Sequence, residues 1–131
     1  MVIDTSALLA ILLGESEAMA MVGAIASADR RLLGAPTLVE SSAVMRARKG
    51  PQGEIALDAL LRRLGIELVG MPAEAAGFAR SAYARYGKGV GSPAVLNFGD
   101  CLAYGLARSL DEPLLFKGMD FSQTDIARVT Y

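Results

Sequence analysis

The sequence predicts an α/β fold in which a central parallel sheet is covered by helices on both faces. Short apolar segments alternate along the chain with longer segments of helical spacing, which is typical of a parallel sheet. The short segments lack strict polar alternation, as expected for strands buried on both sides. The 131 residues, 53% of them apolar, suffice for one domain over 1–131. We therefore expect a three-layer α/β/α domain with about five strands.

Glycine and proline divide the first half of the chain into elements. An apolar start predicts a buried strand that ends at Asp4, and the uncharged run after it predicts a helix that Gly14 ends. An alanine- and methionine-rich helix and a short strand follow, and Pro36 opens the next helix. A loop at 49–53 separates that helix from the fourth. The predicted strands are 1–4 and 32–35, and the predicted helices are 6–13, 16–27, 36–48 and 54–64.

The second half continues the same alternation. Gly65 ends the fourth helix, and apolar residues at helical spacing predict another helix after Pro72. A glycine-rich loop at 87–93 precedes the last helix, and a loop with one helical turn is expected at 117–125. The predicted strands are 66–69, 113–116 and 126–130, and the predicted helices are 73–86 and 97–110.

The composition excludes several kinds of chemistry. The chain has no histidine, which removes Ser-His-Asp and Cys-His catalysis and zinc sites built on histidine. A net charge of −1 gives no overall basic field, although a basic rim can coexist with an acidic pocket. Cys101 is the single cysteine, so no internal disulfide can form. We expect a cytoplasmic protein with no signal peptide and no membrane span, because no long uncharged apolar run occurs.

Four acidic residues fall where strands end or helices begin. Asp4 ends the first strand, Glu40 and Asp100 lie near predicted helix starts, and Asp120 follows the fourth strand. In a parallel sheet these positions share one edge, so the four carboxylates are expected to converge there. Carboxylate oxygens suit Mg²⁺ or Mn²⁺, and such a site can hydrolyse a phosphodiester bond. The supporting residues would hold a carboxylate or a water in place, and they are Asn97, Thr5 and Ser6.

Each of these residues also has an ordinary structural interpretation. Asp4 can cap the first helix, and Asp120 can be a turn residue. Thr37 to Glu40 matches a capping box, and Asn97 to Asp100 resembles one. A further cap is possible at 122–125. The basic clusters at 46–49 and 62–63 can be solvated helix faces. The basic residues that can contact phosphates are Arg46, Arg48, Lys49, Arg80, Arg85, Lys88 and Lys117.

Several sequence segments together resemble the PIN-domain family, and within it the VapC-type toxins of toxin–antitoxin pairs. The matching segments occur in family order over essentially the whole chain, at 1–11, 35–40, 96–104, 113–118, 120–121 and 124–126. The resemblance implies a five-stranded parallel sheet and Mg²⁺- or Mn²⁺-dependent endoribonuclease activity. It also implies an antitoxin that occupies the active site, and homodimers that pair into larger assemblies. Transfer RNA is a common substrate in the family, although nothing in this sequence selects it.

The resemblance assigns roles by position. Asp4, Glu40 and Asp100 match the core acids of the family, with Asn97 and Ser6 as the polar residues that accompany them. The fourth position departs from the family pattern, because Gly118 stands where an acid is common and Met119 where Asn or Asp is common. A thioether does not replace an oxygen ligand on a hard metal. Asp120 therefore has to supply the fourth carboxylate without oxygen donors beside it.

Three other functions remain to be weighed. A protein that keeps the fold but only binds an antitoxin is compatible with the methionine at 119. A receiver domain using Lys117 needs an acceptor aspartate at the end of the strand at 66–69, and none is present. A dehalogenase-type phosphatase needs Asp-x-Asp near the start, whereas this chain has Asp4, Thr5 and Ser6.

Overall fold

The computed structural model describes all 131 residues and shows one parallel four-stranded sheet. The strands are β1 (Val2–Ile3), β2 (Leu32–Gly34), β3 (Glu67–Val69) and β4 (Leu114–Leu115). Their order is β3-β2-β1-β4, and every pair is parallel. The predicted α/β class with a parallel sheet is confirmed.

Six helices surround the sheet. They are α1 (Thr5–Leu12), α2 (Ala18–Ser27), α3 (Ala35–Lys49), α4 (Pro51–Arg63), α5 (Ala73–Tyr86) and α6 (Phe98–Ser109), and a single 3₁₀ turn follows at Phe121–Gln123. None of these helices combines the length and the hydropathy needed to cross a lipid bilayer.

Two of the predicted boundaries are wrong. The fifth strand at 126–130 is reduced to one parallel bridge between Leu114 and Arg128, because its outer residues are exposed and it borders only the short β4. The predicted loop at 49–53 is almost absent, since α4 begins at Pro51. Gly50, at φ +64°, makes the whole turn between α3 and α4, and proline suits the first position of a helix.

The strands bury side chains on both faces, which produces two hydrophobic cores. Successive strand residues point to opposite sides of a sheet. Val2, Leu32 and Leu114 accordingly pack with α6 in one core, and the residue after each of them packs with α1 and α2 in the other. Each fully buried aliphatic side chain contributes about 1.5–3 kcal/mol. These cores fix the strand ends, from which the acids project.

Close contact between α5 and α6 fixes the helix that carries Asp100. A Cβ atom at Gly105 would lie 2.4 Å from the carbonyl oxygen of Ala75 and 2.8 Å from Cβ of Ala79. Only glycine therefore permits this separation, and the two helices pack backbone against backbone. The position of α6 is thus set by a steric contact five residues along the helix from Asp100.

The side chain of Arg31 forms hydrogen bonds to the C-terminal ends of two helices. The Arg31 guanidinium group donates to the carbonyl oxygens of Ala26 (2.9 Å), Ala28 (3.1 Å) and Leu64 (2.8 Å). These carbonyls lie at the C-terminal ends of α2 and α4, where helical hydrogen bonding runs out. Arg31 satisfies them and complements the negative end of each helix dipole.

Candidate active site

Asp4 is buried at the end of β1 and caps α1. Its carboxylate oxygen Oδ2 accepts hydrogen bonds from the backbone N–H of Ser6 (2.9 Å) and from Ser6 Oγ (2.6 Å). The predicted capping role is therefore confirmed. The same bonds leave the other carboxylate oxygen free of them, so capping does not prevent Asp4 from binding a ligand.

Ser6 connects Asp4 to the segment that follows β4. While its hydroxyl donates to Asp4, its oxygen accepts the backbone N–H of Lys117 at 2.9 Å. Ser6 thus joins the first acid to the loop that carries Asp120. This link comes from a residue that the sequence identified only as a nearby hydroxyl.

Glu40 is held by the start of α1 and does not form the predicted capping box. Thr5 Oγ1 donates to Glu40 Oε2 at 2.6 Å, across 35 positions of sequence. The N-cap of α3 is Gly34, so Thr37 lies inside the helix and cannot cap it. The helix begins at Ala35, one position before Pro36. The capping-box prediction for Thr37 to Glu40 is therefore wrong.

Gly99 is a site residue that the sequence interpretation missed. A Cβ atom there would lie 2.3 Å from Glu40 Oε1 and 2.7 Å from Oε2. The Glu40 carboxylate therefore lies directly against the backbone of the first turn of α6. A glycine in a helix costs about 1 kcal/mol of stability relative to alanine. Such an unfavourable residue next to Asp100 was the signal in the sequence that could have identified Gly99 as a site residue.

Asp100 and Asn97 form a reciprocal capping box at the start of α6. Asn97 Oδ1 accepts the backbone N–H of Asp100 at 2.8 Å, and Asp100 Oδ2 accepts the N–H of Asn97 at 2.9 Å. The predicted resemblance to a capping box is confirmed. Both the structural and the functional interpretation apply to Asp100, because the cap fixes the direction of its carboxylate.

The four acids share one electrostatic environment. The pKa of Asp100 is raised to about 7, chiefly by burial, against the lowering effect of its bond to Asn97, and also by the charges of Asp4, Glu40 and Asp120. Burial also raises the pKa of Asp4, the bonds from Ser6 lower it, and the charge of Glu40 raises it. Residues separated by up to 116 positions in sequence therefore repel one another at one end of the sheet.

The donor set suits a hard cation, but the side chains do not form a ready-made cage. No three acidic side chains are arranged so that they could already hold a metal ion. Asp4, Glu40 and Asp100 each accept the hydrogen bonds described above on a single oxygen, Oδ2 or Oε2. The remaining oxygens are carboxylate donors of the type that Mg²⁺ and Mn²⁺ prefer. The chemistry of these residues fits such an ion.

Asp120 differs from the other three acids. It is exposed on the loop after β4, and its side chain caps nothing in the 3₁₀ turn that follows. Gly118 before it adopts φ +103°, and the side chain of Met119 is 70% exposed. The loop therefore brings one carboxylate to the site and no other side-chain oxygen near it.

Two cavities border the site and meet at Phe98. One, of about 560 Å³, is lined by Glu40 and Asn97 together with apolar side chains. The other, of about 480 Å³, lies between α5 and α6. Phe98 lines both and is 74% exposed. A large apolar surface thus adjoins the acids.

Cys101 follows Asp100 and faces away from solvent. Its side chain is 3% exposed, and burial, together with the charge of Asp100, raises the pKa of the thiol to about 11. A thiol of this kind is a poor nucleophile and a poor metal ligand, because both roles need the thiolate. The carboxylates are the remaining candidates for reactive groups.

The PIN domain family model matches residues 1–127. Ribonuclease VapC30 of Mycobacterium tuberculosis is 46% identical over 129 residues, covering 98% of each chain. Ribonuclease VapC of Mycolicibacterium smegmatis is 46% identical, covering 98% of this chain and 99% of its own.

Solved structures show the same fold. VapC20 of Mycobacterium tuberculosis, described as a toxin that cleaves the sarcin-ricin loop, superposes with a TM-score of 0.76 at 18% identity, covering 98% of this chain and 97% of its own. VapBC2 of Rickettsia felis, solved with a promoter DNA fragment, gives a TM-score of 0.74 at 15% identity, covering 98% and 96%. From its sequence and its fold, the chain belongs to the PIN-domain family, among the VapC-type proteins.

Proposed function

We propose that the chain is a toxin-type endoribonuclease that cleaves RNA with Mg²⁺ or Mn²⁺ held by Asp4, Glu40 and Asp100, with Asp120 as a fourth contributor. The observation that carries this proposal is the convergence of the four acids: the pKa of Asp100 is raised to about 7, first by burial and then by the charges of Asp4, Glu40 and Asp120. A divalent cation would relieve that repulsion. The similarity to proteins named VapC ribonucleases supports the same activity.

The chain's own residues orient the site. Ser6 holds Asp4 and Thr5 holds Glu40, so two neighbouring hydroxyls at the start of α1 aim two carboxylates. The capping box aims Asp100. When bound, the cation would lower the pKa of a water and offset charge on the phosphate. Carboxylates that are already oriented by these bonds need less reorganisation during the reaction, which favours catalysis.

The surfaces beside the acids suit a single-stranded segment of RNA. Phe98 offers an exposed aromatic face to a base on one side, and base stacking contributes about 1–3 kcal/mol. On the other side, a cleft of about 470 Å³ is lined by Met119, Arg128 and Tyr131. We propose that the strand crosses the acids between these two surfaces.

Partners follow from the same assignment. We propose a cognate antitoxin as partner, by similarity to the VapC proteins and to the VapBC2 complex; the resemblance to the family implies that it would cover the acids. We also propose a homodimer that pairs into a larger assembly with antitoxin, by similarity to the VapC-type proteins. RNA as substrate implies action in the cytoplasm.

The central test is cleavage of a defined RNA by purified protein. We expect cleavage with Mn²⁺ or Mg²⁺, none with EDTA, and a loss of at least about 100-fold for Asp4→Asn, because a metal ligand is removed. Asp58→Asn changes an exposed acid on α4 and serves as the matched control. Equal cleavage by Asp4→Asn and wild type would overturn the mechanism.

A second candidate is a protein that binds antitoxin without catalysis. The exposed Met119 beside Asp120, where an oxygen donor would assist a metal, favours it. Calorimetric titration with Mn²⁺ separates the two, and absence of binding with RNA present would favour this candidate.

A further inference from the structure

The loop that carries Asp120 is anchored at both ends by aromatic packing. Phe116 and Phe121 are buried, and their ring centroids lie 5.0 Å apart. The four residues between them are Lys117, Gly118, Met119 and Asp120. Gly118 has no side chain, and those of Met119 and Asp120 are exposed without a hydrogen-bond partner. The direction of the Asp120 carboxylate therefore depends on the loop backbone.

Lys117 is the residue of this loop whose side chain is held. Its ammonium group pairs with Glu15 and also with Glu17, at 3.1 Å from the latter. Both carboxylates lie on the segment between α1 and α2. The ammonium group and the two carboxylates are about one-third exposed, so water only partly screens them.

The same residue is held a second time through its backbone. The N–H of Lys117 donates to Ser6 Oγ at 2.9 Å, and Ser6 in turn donates to Asp4. Lys117 is thus tied to the start of α1 through its backbone and to the segment beyond the end of α1 through its side chain. These two attachments, one at the start of α1 and one just beyond its end, fix both the position and the orientation of the residue.

We propose that Lys117, held by Glu15 and Glu17, is a positioning residue that keeps Asp120 in reach of the other three acids. The proposal rests on the proposed function, because it concerns the metal site. It explains how a loop with glycine and methionine beside its acid can still present that acid. It also takes Lys117 out of the predicted phosphate contacts, because both neighbouring charges on its ammonium group come from the protein itself.

The alternative role of the ion pairs is folding stability. Partly exposed ion pairs contribute little to stability, because solvent screens them and ordering long side chains costs entropy. The chain offers a matched control in the exposed pair Arg46–Glu54, which joins α3 and α4. Removing that pair tests what an ion pair contributes to stability on this protein without touching the site.

The experiment compares Lys117→Met with Arg46→Met. Four quantities are measured for each: the affinity for Mn²⁺ alone by calorimetry, kcat and KM on a defined RNA, and Tm. We expect Lys117→Met to lower Mn²⁺ affinity and kcat about tenfold, as for residues that orient metal ligands. Its KM should match that of the wild type, and its Tm should match that of Arg46→Met. Lys117→Arg should recover part of the loss, and the Glu15→Gln, Glu17→Gln double variant should reproduce it.

A double-mutant cycle identifies the residue through which Lys117 acts. If it positions Asp120, Lys117→Met has no further effect in an Asp120→Asn background. Equal additional losses in both backgrounds would overturn the proposal, as would wild-type kcat and Mn²⁺ affinity in Lys117→Met. A rise in KM at unchanged Mn²⁺ affinity would overturn it too, by indicating an RNA contact. Failure of the wild-type protein to cleave RNA would instead refute the proposed function.

Discussion

The start of α6 and the loop after β4 present an acid to the same site by opposite means. Asp100 is half-buried, and its carboxylate is fixed by a reciprocal bond with Asn97 in the first turn of a helix. Asp120 is exposed, makes no cap, and follows a glycine in the left-handed region. One acid is positioned by local helix chemistry, whereas the other depends on distant attachments.

This difference has an electrostatic counterpart. Burial raises the pKa of Asp100 to about 7, whereas Asp120 lies in solvent and mainly contributes its charge to that shift. A fixed, desolvated carboxylate gains most from a cation, because water does not already solvate it. An exposed carboxylate on a loop gains less. The comparison therefore predicts unequal contributions to activity.

The largest effect should come from removing the acids themselves. We expect Asp100→Asn to lower kcat by at least about 100-fold and Asp120→Asn by about tenfold, by analogy with first and outer positions around a metal. Asparagine preserves the shape of each side chain, so stability should remain sufficient for assay. The rates are measured by single-turnover RNA cleavage. Equal losses in the two variants would contradict the predicted difference between Asp100 and Asp120.

The next effect concerns Gly99, against which Glu40 lies. Gly99→Ala would place a Cβ atom 2.3 Å from Glu40 Oε1, so the carboxylate must move. We expect kcat to fall about 10- to 100-fold. Gly77→Ala, on α5 with open space around the new Cβ, is the control. It should keep activity and gain about 0.5–1 kcal/mol of stability. A wild-type kcat in Gly99→Ala would show that activity does not depend on the contact between Glu40 and the backbone of Gly99.

The capping box gives a smaller, mixed effect. Asn97→Ala removes the bond to the backbone N–H of Asp100 and should cost about 1 kcal/mol of unfolding free energy. It should also lower kcat, because Asp100 loses its restraint. Asn97→Ser keeps a capping oxygen and should recover most of the stability. Urea unfolding and RNA cleavage of both variants would show whether stability and activity change together.

The last effect concerns stability alone and is a change in its pH dependence. Because the pKa of Asp100 is raised to about 7, the folded protein binds more protons than the unfolded chain between about pH 4 and pH 7. Its stability contribution is therefore present at low pH and is lost as pH rises through about 7. Asp100→Asn should reduce that loss, as measured by urea unfolding in EDTA at pH 5 and pH 8. An unchanged slope would show that Asp100 is solvated more than its burial indicates.

Much of the fold could be predicted because it rests on local signals. Apolar segments of strand length, Gly14, Gly65 and Pro36 located most elements within a few residues. The strand predicted at 126–130 was wrong because pairing depends on its neighbour, and β4 has only two residues. No local pattern reports the length of a partner strand.

The acidic residues of the site could be predicted from the sequence, but the contacts that orient their side chains could not. Strand ends and helix starts share an edge of the sheet, so Asp4, Glu40, Asp100 and Asp120 could be grouped from sequence. The contacts that aim them join distant residues, such as Thr5 to Glu40 and Lys117 to Glu15. Those pairings follow from the packing of α1 against α3 and β4, which sequence spacing does not describe. Their roles as metal ligands stay a prediction.

The burial of Cys101 makes this protein convenient for site-specific labelling. Its thiol is shielded and protonated over the whole range in which maleimides react selectively, so the natural cysteine should stay unmodified in the folded chain. A Met119→Cys variant would then carry a single fluorophore or spin label next to Asp120. Such a probe would report directly on the motion of this loop when Mn²⁺, RNA or an antitoxin arrives.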